Sequence, residues 1–328
     1  MLPRHLGDAV LALPALRQLA RVSDLLIRAD GGAARVLAGQ GPWRIGPDRR
    51  SAWLPLPTLL LSGSLRVAVT AIASRAPIRV GRGTDGRKHA LTHRVPAPPT
   101  PLAVRNPSGR KLPGLLPREH QADEYLRAAR LFAEAAGLAP LAPEQGDDRL
   151  RITADDGFFG QRWLDQTGAS VLLHPWAAGL PTKRWALERW VELGERLRGA
   201  GEQVAVTGGP DPDDAREARI LAGRLGVPVA AGEGTLPIAV WAAAALRAKR
   251  VVLPDTGLAH VAAAAGASSV VLFGATDPAR HGPRGAGPAR VLHRDLACGP
   301  CYRPRCAGPD ELACLAWKPA RVAQEVLA

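Results

Sequence analysis

Asp255-Thr256-Gly257 separates two apolar stretches, and its residue types suit the capture of an anion. Val251-Val252-Leu253 precedes it and has the length of a buried strand. Leu258 to Ala265 follows, with Leu258, Val261 and Ala262 on one helical face and Gly266 as the stop. Val270-Val271-Leu272-Phe273 is then a second buried strand. Strand, turn, helix and strand make a βαβ unit. The backbone N–H groups of Thr256, Gly257 and Leu258 open the helix, where the dipole favours negative charge. Gly257 allows close approach to the backbone, and His260 lies one turn further on. The plainer reading makes Asp255 or Thr256 a helix cap and nothing more.

Other chemistry-bearing groups are scattered. Lys183, in Thr182-Lys183-Arg184-Trp185, is one of only five lysines. Asp8 follows Gly7 at the start of an apolar helix, where the dipole favours an ionised carboxylate. It could equally be a cap. Asp211-Pro212-Asp213 has the spacing of a metal-holding carboxylate pair, but it also precedes a helix that it could cap. Arg79 to His89 is basic and Gly-rich, either a solvated loop or an anion-binding wall that includes Arg79 and Arg87. All four cysteines fall near the end, as Cys298-x2-Cys301-x4-Cys306-x7-Cys314. Such clustering suits a closed structural zinc site; disulfides and free thiols are the alternatives.

The elements that must position these groups alternate along the second half of the chain. Strands are expected at 171–174, 203–207, 227–230, 251–253 and 270–273. Helices are expected at 190–199, 212–225, 238–246 and 258–265. The alternation implies a doubly wound parallel sheet, with its ligand loops at the strand C-termini. In the first half, Leu6 to Leu19 reads as a helix with one buried face, kinked at Pro14. Val22 to Ile27 and Val67 to Ala73 read as strands, with further apolar stretches between Trp53 and Leu61. Pro96 to Pro117 reads as a long mobile loop, and Glu119 to Gly137 as an amphipathic helix. The Pro- and Asp-rich connection from Leu138 to Asp156 divides the chain into domains at 1–156 and 157–328.

Composition excludes several classes. The formal net charge is +13, but the basic residues are dispersed and aromatics make up 4%, which argues against specific nucleic-acid binding. A phosphorylated or acidic-lipid substrate suits that charge better. Gly257 to Ala275 is long enough to span a membrane, but His260, Gly266 and Ser268-Ser269 divide it. Asp8 interrupts the short apolar N-terminal run and argues against a signal peptide. The expected location is the cytoplasm, with peripheral contact at the inner membrane surface.

Three of these stretches together resemble glycosyltransferase family 9, the ADP-heptose:lipopolysaccharide heptosyltransferases. They are Leu6-Gly7-Asp8 with Leu13-Pro14-Ala15-Leu16, then Thr182-Lys183-Arg184-Trp185 with Trp190, then Asp255 to Ala263. Arg79-Val80-Gly81, Asp85-Gly86-Arg87, Leu91-Thr92-His93, His120-Gln121 and the Cys-rich tail are similar to the heptosyltransferase II branch. The resemblance implies a GT-B fold, two Rossmann-like domains facing across a cleft. The N-terminal domain would bind the acceptor and the C-terminal domain the nucleotide sugar.

It further implies inverting transfer from ADP-heptose to a saccharide or glycolipid acceptor such as the lipopolysaccharide inner core, with no metal. Asp8 would be the general base, and Lys183 would meet the leaving diphosphate. Asp213, Asp255, Thr256, Gly257, Leu258 and His260 would bind the donor, and Arg79, Arg87 and Arg184 the acceptor. Family members carry a full strand before Leu-Gly-Asp, whereas here only Met1 to His5 precede it, so a shortened first strand is expected. A nucleotide-sugar epimerase and a non-catalytic nucleotide-sugar-binding scaffold are the rival functions.

Overall fold

The computed structural model describes residues 1–2, 5–46, 55–84, 86–96, 119–142, 147–306 and 311–328. They form two compact units, one within Met1–Val104 and Leu116–Asp148, the other within Arg149–Ala328. Residues 97–117 of the expected Pro-rich loop lie outside the described residues, as do Asp85 and Trp53.

The first unit opens with α1 (Leu6–Leu19). Ala9 through Leu19 are all buried, so α1 is enclosed on every side rather than on one face. Pro14 is tolerated within the continuous helix. β1 (Leu26–Arg28), α2 (Gly31–Leu37) and β2 (Arg44–Gly46) follow, and β1 and β2 pair in parallel. β3 (Thr58–Leu60), α3 (Leu65–Ala73), β4 (Arg79–Arg82) and β5 (His93–Val95) come next, with β3, β4 and β5 forming a parallel sheet in that order. α4 (Gln121–Ala135) packs on α1.

One expectation changes here. Val67 to Ala73 lies in helix α3, not a strand. Its β-branched residues suggested a strand, but Ala68 and Ala71 are buried three residues apart while Leu65, Val69 and Ile72 are about half exposed, the spacing of a helix. Met1 and Leu2 belong to no strand but hydrogen-bond to residues on both sides. The Met1 amino group donates to the Leu59 carbonyl at 2.7 Å, Leu61 N–H to Met1 O at 3.0 Å, and Leu2 N–H to Arg28 O at 3.1 Å. A cavity of about 250 Å³ lies beside these residues, lined by Met1, Leu2, Leu16, Leu25, Leu59 and Phe132 among others.

The second unit begins with α5 (Ala154–Thr167), whose first residues fall at the end of the stretch expected to be a connector. A capping box between Thr153 and Asp156 starts it, and Gly168 at φ 65° ends it. Then follow β6 (Val171–Leu173), α6 (Leu187–Gly199), β7 (Val204–Thr207), α7 (Pro212–Leu225), β8 (Val229–Ala230) and α8 (Ile238–Arg247). β9 (Arg250–Pro254), α9 (Gly257–Ala265), β10 (Ser269–Leu272), α10 (Pro278–His281), β11 (Ala289–Leu292) and α11 (Pro319–Leu327) complete it.

The six strands pair in parallel in the order β11-β10-β9-β6-β7-β8. Val171, Leu173, Val204, Val206, Val252, Val270 and Leu272 are buried in the core on this sheet. β6, β7 and β10 are buried at every position, which is why they read as continuous apolar runs rather than as alternation.

Candidate functional site

The residues singled out in the sequence fall into one group on each unit. On the second unit, β9 ends at Pro254 and α9 starts at Gly257. Thr256 occupies the cap position with extended backbone but makes no side-chain capping bond. Asp255 does not cap either. It is 4% exposed, and its Oδ2 takes the Lys183 ammonium at 2.8 Å and the Thr276 hydroxyl at 2.5 Å. Among the described residues no side chain therefore caps the opening N–H groups of α9, and Lys183 is held by Asp255 just ahead of that helix.

Lys183 reaches that place through its own loop. Trp185 and Trp190 pack edge to face at 5.3 Å and are buried, which anchors the chain just after the lysine. Thr182 donates to Arg303 O at 2.6 Å, tying the loop to the Cys-rich segment. Gly274, just after β10, has room for no side chain: a Cβ there would come 2.6 Å from the Thr182 carbonyl oxygen. His260 is buried on α9.

Three residues near this turn were not singled out from sequence: Thr276, His281 and Tyr302. His281 stacks edge to face on Tyr302 at 5.7 Å. Burial, then the neighbouring Arg280 charge, pushes its pKa down to about 4, while Asp255 acts to raise it.

Asp211 Oδ1 accepts from the N–H groups of Asp213 and Asp214 at 3.0 and 3.3 Å. The D-x-D is therefore a helix cap at the start of α7. Asp213 is exposed on the same turn. Asp214 is buried, and burial pushes its carboxyl up against the opposing pull of His174.

Arg184 belongs to this unit, not to the one expected to bind the acceptor. Its guanidinium lies 3.3 Å over the Trp176 ring, donates to Ala177 O at 2.9 Å, and feels the charges of Glu217, Asp213, Asp211 and Asp214.

On the first unit, Asp8 is half-buried in the opening turn of α1. Gln121 Nε2 donates to its Oδ1 at 2.5 Å, and the Tyr125 hydroxyl donates to the same oxygen at 3.2 Å. The basic residues of the expected anion wall make contacts within their own unit. Arg79 is in β4 and donates to the carbonyls of Ala76 and Ala90, both at 2.6 Å. Arg87 is 2% exposed and donates to Ser62 O, Thr84 O and Thr84 Oγ1. Both guanidiniums brace the local backbone.

Cys298 is exposed, and Cys301, Cys306 and Cys314 are partly buried. The Cys306 sulfur accepts from Leu312 N–H at 3.4 Å. Burial, then the nearby Cys301, raises the Cys314 pKa. Among the described residues no three His, Cys, Asp or Glu side chains gather as a metal's ligands. No helix among the described residues is long and apolar enough to cross a membrane.

The signature of glycosyltransferase family 9 (heptosyltransferase) matches residues 120–309. Over 183 residues the chain is 32% identical to lipopolysaccharide heptosyltransferase 1 of Pseudomonas aeruginosa, covering 55% of this chain and 47% of that one. The match thus spans about half of that curated relative's length. The fold matches E. coli ADP-heptose lps heptosyltransferase II at a TM-score of 0.69 and 19% identity, over 99% of this chain and 96% of that one. E. coli heptosyltransferase WaaC with ADP gives 0.62 and 18% identity, over 98% and 96%. A family 9 glycosyltransferase from Veillonella parvula gives 0.64 and 20% identity, over 89% and 84%. These matches give the α/β architecture the GT-B type of fold. With the signature covering more than half of its length, this chain belongs to glycosyltransferase family 9.

Proposed function

We propose that this protein is an inverting, metal-independent glycosyltransferase that moves heptose from ADP-heptose to the inner core of a lipopolysaccharide precursor. The observation that carries the reading is the Asp255 turn. A lysine is ion-paired to the carboxylate just ahead of a helix N-terminus that no side chain among the described residues caps, on a chain of this family. Relatives support the donor: one solved structure holds ADP and another ADP-2-deoxy-2-fluoro heptose. The family match does not favour the epimerase or the scaffold.

In this scheme Asp8 takes the proton from the acceptor hydroxyl. The oxygen attacks the anomeric carbon from the face opposite the leaving group. The bond from that carbon to the phosphate oxygen breaks, and ADP departs with the electron pair. Lys183 and the N–H groups of Thr256, Gly257 and Leu258 meet the charge that develops on the diphosphate, and they stand in place before it forms. Asp213 holds the ribose, and Asp255 and His260 frame the donor. The Asp255–Thr276 bond keeps the carboxylate that presents Lys183 from turning away. The cysteines take no part in the chemistry. The acceptor is an anionic glycolipid met at the cytoplasmic face of the inner membrane, which suits a net charge of +13.

The test is calorimetric titration with ADP and with UDP in EDTA, beside Lys183→Gln, which retains a donor for Asp255. Saturable ADP binding, weaker for UDP and at least about tenfold weaker in the variant, is expected. Equal binding by the variant, or ADP binding that needs a divalent cation, contradicts the reading.

A further inference from the structure

α4 brings two side chains to Asp8 that the reaction scheme does not use. Gln121 and Tyr125 are four residues apart and so share a helix face. Gln121 Nε2 donates to Asp8 Oδ1 at 2.5 Å and to the Tyr125 oxygen at 2.5 Å, and the Tyr125 hydroxyl donates to Asp8 Oδ1 at 3.2 Å. The protons account for themselves. An ionised carboxylate only accepts, so the Gln121 amide must turn its NH₂ toward it. That group has two protons, one for each bond. The phenol oxygen accepts from the amide while its own proton goes to the carboxylate.

One corner of the triangle is fully buried, and Asp8 and Gln121 are partly so. Tyr125 is 2% exposed. Burial, then the Asp8 charge, pushes its phenol well above the ordinary value, so it remains a donor throughout the working range. An amide cannot titrate at all. Asp8 itself sits in the first turn of α1, where one rotation about its side chain would turn the carboxylate away. A general base must meet its proton within hydrogen-bond reach, and Gln121 and Tyr125 restrict that rotation.

We propose that Gln121 and Tyr125 are positioning residues for the base: together they fix the orientation of the Asp8 carboxylate and keep it ionised. This deepens the transferase reading and rests on Asp8 being its base. Both residues act through Asp8 and touch no substrate.

The experiment uses the full chain with ADP-heptose and a heptose-deficient inner-core acceptor, and compares Tyr125→Phe, Gln121→Leu and Gln121→Glu with Asp8→Asn. Alongside it, the side-chain carboxyl carbon of Asp8 is titrated by NMR, a readout independent of turnover. Removing either donor should lower kcat about tenfold and leave the ADP affinity unchanged. It should also move the acidic limb of kcat/KM and the Asp8 titration up together by about one pH unit. Gln121→Glu fills the same volume, so it tests charge rather than packing. A second carboxylate there should shift both readouts further up. An unchanged Asp8 titration and acidic limb in Gln121→Glu, with Asp8→Asn inactive, would overturn the positioning role and leave the base intact. Full activity in Asp8→Asn would overturn both.

Discussion

Asp8, Lys183 and Asp255 differ in what each can lose. Asp8→Asn keeps shape and volume but cannot take a proton. Turnover should fall about 10²- to 10⁴-fold while ADP binding, measured by calorimetry, is unchanged. Loss of ADP binding in this variant would show that Asp8 serves the donor instead. Lys183→Ala behaves differently, because it strands a carboxylate that is 4% exposed. The second unit should lose about 3 kcal/mol in denaturant unfolding, less whatever the Thr276 hydroxyl recovers. The sequence exposed these residues because each stands at a local break in an apolar pattern. Thr276 and Tyr302 carry no such mark: Thr276 meets Asp255 across 21 residues of chain. Arg79 and Arg87 have partners that no local pattern shows. A basic, Gly-rich stretch reads as an anion wall, and in the structure both guanidiniums donate to carbonyls that only the folded backbone brings into range.

The strands and helices of the second unit between residues 171 and 273 were legible to within a few residues, whereas α5, α10 and α11 were not read. Fully buried parallel strands read as apolar runs, and Gly226 and Gly266 end α7 and α9 at φ 64° and 91°. β11 escaped because Ala289–Leu292 is an edge strand and mostly only partly buried. In the first unit, α3 escaped because Val67, Val69, Thr70 and Ile72 are β-branched. Two measurements belong to this scale. Gly274→Ala should push the Thr182 carbonyl and the Lys183 loop apart, since backbone cannot swing aside, and so weaken ADP binding about 10- to 100-fold. Unaltered affinity would mean the loop is not set by that contact. His281 has a pKa of about 4 in the folded chain against about 6.5 unfolded. The unfolded chain therefore binds more protons between those values, and stability present above pH 6.5 is lost as pH falls toward 4. The contribution is up to about 3 kcal/mol. His281→Asn should flatten this slope in chemical denaturation; an equal slope in the variant would place the titration elsewhere.

At the scale of the whole molecule, two α/β units divide the proposed labour. One presents a carboxylate held by Gln121 and Tyr125, and the other presents Lys183, held by Asp255 just ahead of a helix that no side chain among the described residues caps. Each group is placed by its own unit's sheet and helices, so each half of the account can fail alone. Calorimetry and the Asp8 titration separate those failures. The two-unit α/β architecture was legible from strand and helix alternation in one half and from family resemblance in the other. The first unit's short strands, three or four residues each, carry too little pattern to be read alone. The most direct measurement is ADP release from ADP-heptose in EDTA, on a heptose-deficient inner-core acceptor, with the glycolipid product identified by mass. The account predicts acceptor-dependent release and a product heavier by one heptose, both abolished in Asp8→Asn. Release that ignores the acceptor, or transfer that survives Asp8→Asn, would contradict it.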